Sequence, residues 1–179
     1  MSKISDFVTF HTGDGKMPDG TAAPCFQTAL SEIFKGRKES HWCWYITPTN
    51  TTSKSFGDRF VLSTEDTIAF IQNKLLLSHY LVFMHVVSNQ LERGIDPGTL
   101  LMSKTDAIKV YKSAKWFNKF GSHTNSELFN VTNRIITMLD RVAQDYMVDT
   151  ILESICVRRK SMLFNELKYN KLIATARSC

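Results

Sequence analysis

The densest collection of chemically able side chains is the stretch 35–48, KGRKESHWCWYITP. It sets Arg37, Lys38 and His41 beside Trp42, Trp44 and Tyr45. Guanidinium and ammonium groups grip phosphate oxygens, and aromatic faces stack on a planar base. The combination suits a phosphate-bearing, ring-containing ligand of nucleotide type. Arg59, Lys109 and Lys112 are further cations available to such a site. The plainer reading makes the tryptophans core anchors and leaves the charges solvated. Exposure of the stretch decides between the two.

Candidates for catalysis are fewer. His41 is the candidate acid–base group, because imidazole titrates near neutrality. Asp58, Asp106 and Glu32 are candidates to activate water or to stabilise an oxocarbenium-like transition state. Cys43 stands two residues from His41. On an extended strand both would share a face, about 7 Å apart at the backbone. A cysteine between two tryptophans reads more simply as a packed, structural one.

Other chemistries lack their motifs. There is no Gly-x-Ser-x-Gly elbow, no phosphate-binding Walker loop and no Gly-x-Gly-x-x-Gly. His79 and His85 are six apart and face different ways on a helix, so the paired histidines of a zinc hydrolase are missing. No Cys-x-x-Cys occurs among Cys25, Cys43, Cys156 and Cys179. No metal and no cofactor are expected.

The elements that must position these groups are mostly helices. Phe26, Leu30, Ile33 and Phe34 repeat with helical spacing and Gly36 follows as a stop, so a helix is expected over 25–36. The alternation around Trp42, Trp44 and Ile46 predicts a short extended segment, and 59–62 a second one. Residues 11–24 and 49–58 read as loops. Ser63 with Asp66, Ser103 with Asp106 and Thr124 with Glu127 are capping-box pairs that open helices. Tyr80, Met84, Val87 and Leu91 line one face of a helix over 78–93. Val110, Ala114 and Phe117 share a face of the next, with Lys112, Lys115 and Lys119 opposite. Leu128, Val131, Ile135, Met138, Val142 and Tyr146 mark the clearest helix of all. The expected fold is a mainly α, single compact helical domain with at most a small strand component near residues 42–47 and 59–62. The domain is expected over 1–147, with a loop insertion at 11–24. A C-terminal helical extension follows over 148–179, broken near Arg158-Arg159-Lys160.

Composition agrees with that class. The 179 residues are 43% hydrophobic and 22% charged, which excludes collagen, low-complexity disorder and a disulfide scaffold. No apolar run approaches a membrane span. The polar N-terminus lacks the apolar core of a signal peptide, so a cytoplasmic protein with free thiols is expected, in a bacterial or infected host cell. Net charge is +5. This permits phosphate binding, while nucleic acid is disfavoured because no recognised nucleic-acid fold signature is present. The amphipathic segment 161–176, with Leu163, Leu167 and Ile173, is a candidate for homo-oligomer or partner contacts.

One resemblance is visible. The run Ala29-Leu30-x-Glu32-(x)3-Gly36-Arg37-Lys38-x-Ser40-His41-Trp42-x-Trp44-Tyr45-Ile46-x-Pro48 resembles the signature of a bacterial and phage family of unknown function, whose members are often labelled "calpastatin". Asp6-Phe7-Val8, Ser55 through Ser63, and Thr105-Asp106-(x)2-Lys109-(x)3-Ser113 through Phe117 are similar to flanking family segments. The resemblance spans about residues 5–145. Loop 11–24 is longer than the family's, and Pro48-Thr49 replaces its Pro-Gln. The family implies a compact, mostly helical domain and no established activity. Its pattern is similar to that of helical domains that bind or process ADP-ribose derivatives, by analogy alone.

Three functional expectations follow. The first is binding of a nucleotide-like small molecule (NAD, ADP-ribose or cyclic-nucleotide type), which in a virus would sequester a host immune signal. The second is an N-glycosidase-like hydrolase on the same ligand class. The third is a protein-interaction module.

Overall fold

The computed structural model describes the backbone of residues 3–52 and 56–176. Side chains are described up to 157, save 123, 124 and 156. Among these residues the chain forms eight helices: α1 (Lys3–Thr12), α2 (Phe26–Phe34), α3 (Cys43–Ile46), α4 (Thr64–Gln72), α5 (Lys74–Glu92), α6 (Pro97–Leu100), α7 (Lys104–Thr124) and α8 (Ser126–Ala176). Among the described residues β-structure is limited to isolated bridges, such as Lys16 with Ala22 and Thr49 with Val61. The mainly helical class therefore holds.

Each helix has a local cause. Ser63 and Asp66 close a reciprocal capping box at the start of α4, satisfying two otherwise orphaned N–H groups. Asn73 stops α4 in an extended conformation, and its side chain accepts from Leu76 N–H to open α5. Gly94, at φ 86°, lets the chain leave α5 through the left-handed region. Asp96 caps α6 at Thr99 N–H, and Ser103 caps α7 at Asp106 N–H.

Four expectations change. First, 42–47 is not extended: Cys43–Ile46 is one helical turn. Trp42, Tyr45 and Ile46 are all fully buried, and their spacing of three and four suits a helix as well as alternation suits a strand. Second, the cap of α8 is Asn125, whose Oδ1 accepts from Leu128 N–H, while Glu127 pairs with His85 instead. Third, the N-terminal segment is a helix whose Phe7, Phe10 and His11 are buried. Fourth, α8 continues through 158–160, because Arg and Lys are good helix formers and do not themselves break a helix. Segment 161–176 is thus helical, and its side chains lie outside the described ones.

The core is aromatic. Phe7 meets Phe60 and Phe70 edge-on at 5.1 and 5.3 Å, and Phe70 and Tyr80 pack on Phe117. Such tilted pairs satisfy the ring quadrupoles. Helix α2 lies on α5, α1 touches α2 to α5, and α3 and α6 touch α7. Helices α7 and α8 approach so closely that a Cβ on Gly121 would stand 2.7 Å from the backbone nitrogen of Phe129. The chain divides into two units, 1–143 and 144–179, with the division inside α8.

Candidate functional site

The stretch 35–48 is organised by one carboxylate. Glu32, on the last turns of α2, accepts from the backbone N–H of Glu39 at 2.9 Å and of Ser40 at 3.1 Å. It also accepts from Ser40 Oγ at 2.5 Å and from Trp42 Nε1 at 2.7 Å. Burial opposes its ionisation, but these four donors hold its carboxyl below the ordinary carboxylate range. The turn between needs Gly36 at φ 84°. Gln90 on α5 donates to the carbonyls of Ile33 and Phe34, satisfying the end of α2. Glu32 is therefore a clasp, and its engaged oxygens are unavailable as a base.

Helix α7 reads the clasp from its other side. Asp106, Lys109 and Ser113 fall at i, i+3 and i+7 and so form one stripe. Asp106 Oδ2 takes Lys38 Nζ at 2.5 Å, and Asp106 Oδ1 takes Lys109 Nζ at 2.6 Å. Lys109 Nζ also stands 4.1 Å from the Trp44 ring centre. Ser113 Oγ donates to Pro48 carbonyl at 2.8 Å, which leaves Tyr80 hydroxyl to donate to Ser113 at 3.1 Å. Burial opposes the charge on Asp106, but the two ammonium groups keep its carboxyl below the ordinary range. One carboxylate between two lysines leaves a surplus positive charge on this face. Lys38 is almost wholly buried, whereas Lys109 and Trp44 are half-buried and reach the surface.

The predicted site residues separate accordingly. Trp42 and Tyr45 are fully buried and present no face for stacking. Trp42 packs edge-on against Phe83 at 5.1 Å with Lys38 Nζ 5.0 Å from its ring, and Tyr45 hydroxyl donates to Pro24 carbonyl. Lys38 is likewise closed off by Asp106. Arg37, His41 and Lys112 are exposed. Arg59 is exposed but pairs with Asp6 at 3.1 Å and lies over Phe10 and Phe60, so it fastens α1. Asp58 is exposed in the turn before Phe60, and no described contact joins it to His41 or Asp106. His41 is exposed while Cys43 is buried, so the two do not share a face. Burial drives the Cys43 thiol up to about 12, against thiolate chemistry. Two open hollows lie elsewhere. One is lined by Gln27, Leu30, Ser31, Phe34 and Lys35, the other by α5 residues with Glu127.

The family described as "Protein of unknown function (DUF1810)" matches residues 18–138. The chain belongs to this family. The matched DUF1810 span contains the Glu32 clasp, α7 and the start of α8. No curated protein matches the sequence. The conserved hypothetical protein Rv1873 from Mycobacterium tuberculosis has a similar fold, with TM-score 0.55 and 18% identity over 78% of this chain and 86% of that one. At that identity the likeness speaks for the fold alone.

One further cluster joins α1, which precedes the matched span, to α5. His11 and His79 stack with ring centres 5.4 Å apart, and their Nδ1 atoms are 3.1 Å apart. Phe26 stacks on His79 at 3.7 Å. His11 Nε2 faces Tyr45 carbonyl at 2.8 Å. A carbonyl only accepts, so His11 carries its proton on Nε2 and presents a bare Nδ1. His79 must then donate from Nδ1 and keeps Nε2 as a lone-pair site. Burial drives His11 down to about 4, against the carbonyl bond that favours its charged form, with His79 adding to the lowering. Burial lowers His79 as well. The signal that would have revealed α1 was Ile4, Phe7, Val8 and His11 at helical spacing.

Proposed function

We propose that this protein binds a small anionic ligand carrying a planar ring, of the phosphate-bearing nucleotide type, at the Trp44–Lys109 ledge. The carrying observation is the shared carboxylate of Asp106. Burying Lys38 beside it fixes two cations around one anion, and burial of a lysine is unfavourable unless compensated. The surplus charge emerges at Lys109, directly over an indole that still reaches solvent. An anion would meet Lys109, with Arg37, His41 and Lys112 as exposed groups on the flanking elements, and a ring would lie against Trp44. In a virus-borne copy such binding would sequester a host signalling nucleotide.

Hydrolysis has less support. Both oxygens of Asp106 are held by lysines, Glu32 is engaged by four donors, and the Cys43 thiol is buried and protonated. The ligand is therefore expected to return intact. The test is a thermal-shift and calorimetric screen of NAD, ADP-ribose, cyclic mononucleotides and cyclic oligonucleotides. The full-length protein, Lys109→Ala and Trp44→Ala are compared. A ligand at a hundred times its Kd should add about 2.7 kcal/mol of stability. Stabilisation of the wild type that both variants lose supports the ledge, and a flat response across the panel overturns it. Chromatography of the recovered ligand separates binding from turnover.

A second reading, protein interaction, is favoured by an exposed apolar face on the second unit.

A further inference from the structure

Helix α7 carries Lys104, Lys109, Lys112, Lys115 and Lys119 against a single carboxylate, Asp106, which is buried and already shared. Lys109, Lys112 and Lys115 follow at i, i+3 and i+6, and Lys119 stands four further on, so these four form one row of neighbours. Lys112, Lys115 and Lys119 are exposed. Among the described residues none of those three has a carboxylate partner; Lys115 lies over the Tyr111 ring at 5.5 Å and Lys119 over Trp116. Like charges at such spacings repel one another and weaken a helix. An anion from outside the fold is the partner that relieves them.

The rings say what kind of anion. An indole marks each end of the row, with Lys109 Nζ 4.1 Å from the Trp44 ring centre and Lys119 Nζ 5.2 Å from that of Trp116. Both indoles are half-buried, and Trp116 Nε1 donates to the Thr67 hydroxyl at 2.8 Å, which fixes that ring in place. From 109 to 119 the helix rises about 15 Å, room for more than one phosphate. A single strand of nucleic acid offers the complement, phosphates in a line with unpaired bases beside them. A mononucleotide would meet Lys109 and leave the rest of the row unused. An acidic peptide would neutralise the lysines but bring no base to the indoles, and a duplex keeps its bases inside the stack. We infer that the ligand of the ledge is a short single-stranded oligonucleotide, with its phosphates along Lys109, Lys112, Lys115 and Lys119 and its bases against Trp44 and Trp116. This rests on the ledge reading and names the ligand class of that site.

Fluorescence anisotropy of a labelled thymidylate hexamer on the full-length protein is the test, with unlabelled ADP-ribose and hexaglutamate as competitors. Four phosphate contacts on a single strand give a slope of log affinity against log salt of about −3, a loss of about fiftyfold between 50 and 200 mM. Lys112→Ala with Lys115→Ala and Lys119→Ala keeps the helix, since alanine is the best helix former. That triple variant should retain a slope of only about −0.7 and lose less than about threefold over the same range. Its affinity for ADP-ribose should be unchanged. Trp44→Ala should weaken the hexamer about tenfold at fixed salt with the slope kept, because stacking displaces no counterions. If ADP-ribose binds and the hexamer binds no tighter, the ledge stands and this inference falls. It falls also if the triple variant keeps the wild-type affinity and slope, since the strand then lies elsewhere. Hexaglutamate displacing the hexamer at equal concentration overturns it in favour of an acidic protein segment. Binding of neither nucleotide overturns the ledge as well.

Discussion

Acidification from pH 7 to pH 5 should destabilise this protein through His11, and the size of the effect follows from its surroundings. In the unfolded chain the imidazole takes a proton near 6.5; in the folded one it does so only near 4. Between those values the unfolded state holds more protons, so stability is full above about 6.5 and falls as pH drops towards 4. Below that the loss saturates. The gap corresponds to a limit of about 3 kcal/mol, of which about 2 kcal/mol is lost by pH 5. His79 shifts in the same direction and adds to the slope. The carboxyls of Glu32, Asp66 and Asp106 are depressed, so their contributions are lost only below the ordinary carboxylate range and leave this window clear. Urea unfolding at half-unit pH steps, on the wild type and His11→Gln, isolates the term. Glutamine can still donate to the Tyr45 carbonyl but cannot take up a proton. The variant should be less stable at pH 7 by about 1 kcal/mol, the worth of a buried hydrogen bond. The two curves should converge or cross near pH 5. Parallel curves would refute the assignment of the slope to His11.

Other perturbations give equally definite expectations. Lys38→Met keeps the stem but leaves Asp106 with one cation, and should cost about 3 kcal/mol in chemical denaturation. Adding Asp106→Leu should restore part of that loss, so additive single effects would contradict the shared-carboxylate account. Glu32→Gln keeps one acceptor oxygen for the N–H groups of Glu39, Ser40 and Trp42, removes the negative charge they share and sets an amide against Ser40 Oγ, for a loss of about 1–3 kcal/mol. Trp42 fluorescence should shift with it, since the indole N–H then donates to a neutral amide oxygen in place of a carboxylate. Gly121→Ala places a methyl 2.7 Å from a backbone nitrogen of α8. It should lower stability by about 1–3 kcal/mol, which a melting curve would detect and an unchanged melting point would disprove.

Much of this architecture was legible in residue spacing. Ser63 with Asp66, Gly94 and the Val110–Ala114–Phe117 face act locally, and local chemistry can be read locally. The stretch 42–47 misled because six buried or half-buried residues in a row satisfy two periods at once. Only the Glu32 hydrogen bonds to 39, 40 and 42, invisible in a hydrophobicity pattern, tip it into a turn. The cap of α8 slipped by one residue because Asn125 and Thr124 are both able caps, and the close crossing at Gly121 sets where α7 ends. Of the residues singled out in the sequence, Lys109, Trp44 and Asp106 meet in the structure. The core-anchor reading covers the buried Trp42, whereas the burial of Lys38 departs from both readings, since it depends on α7 arriving from far along the chain. The His11–His79 pair joins positions 68 apart and leaves no trace in either local sequence.

The Glu32 clasp and the Lys38–Asp106 pair differ in how far along the chain they reach. Every bond of the clasp closes within ten residues, whereas the ion pair spans 68. Short closures cost little chain entropy and form quickly, and long ones wait for the intervening chain to be ordered. During synthesis the α2–α3 turn can therefore assemble while α5 and α7 are still unmade, joining its carboxylate to the indole before either is buried. Lys38 would remain solvated until Asp106 reached it, making the burial of that lysine one of the last events of folding.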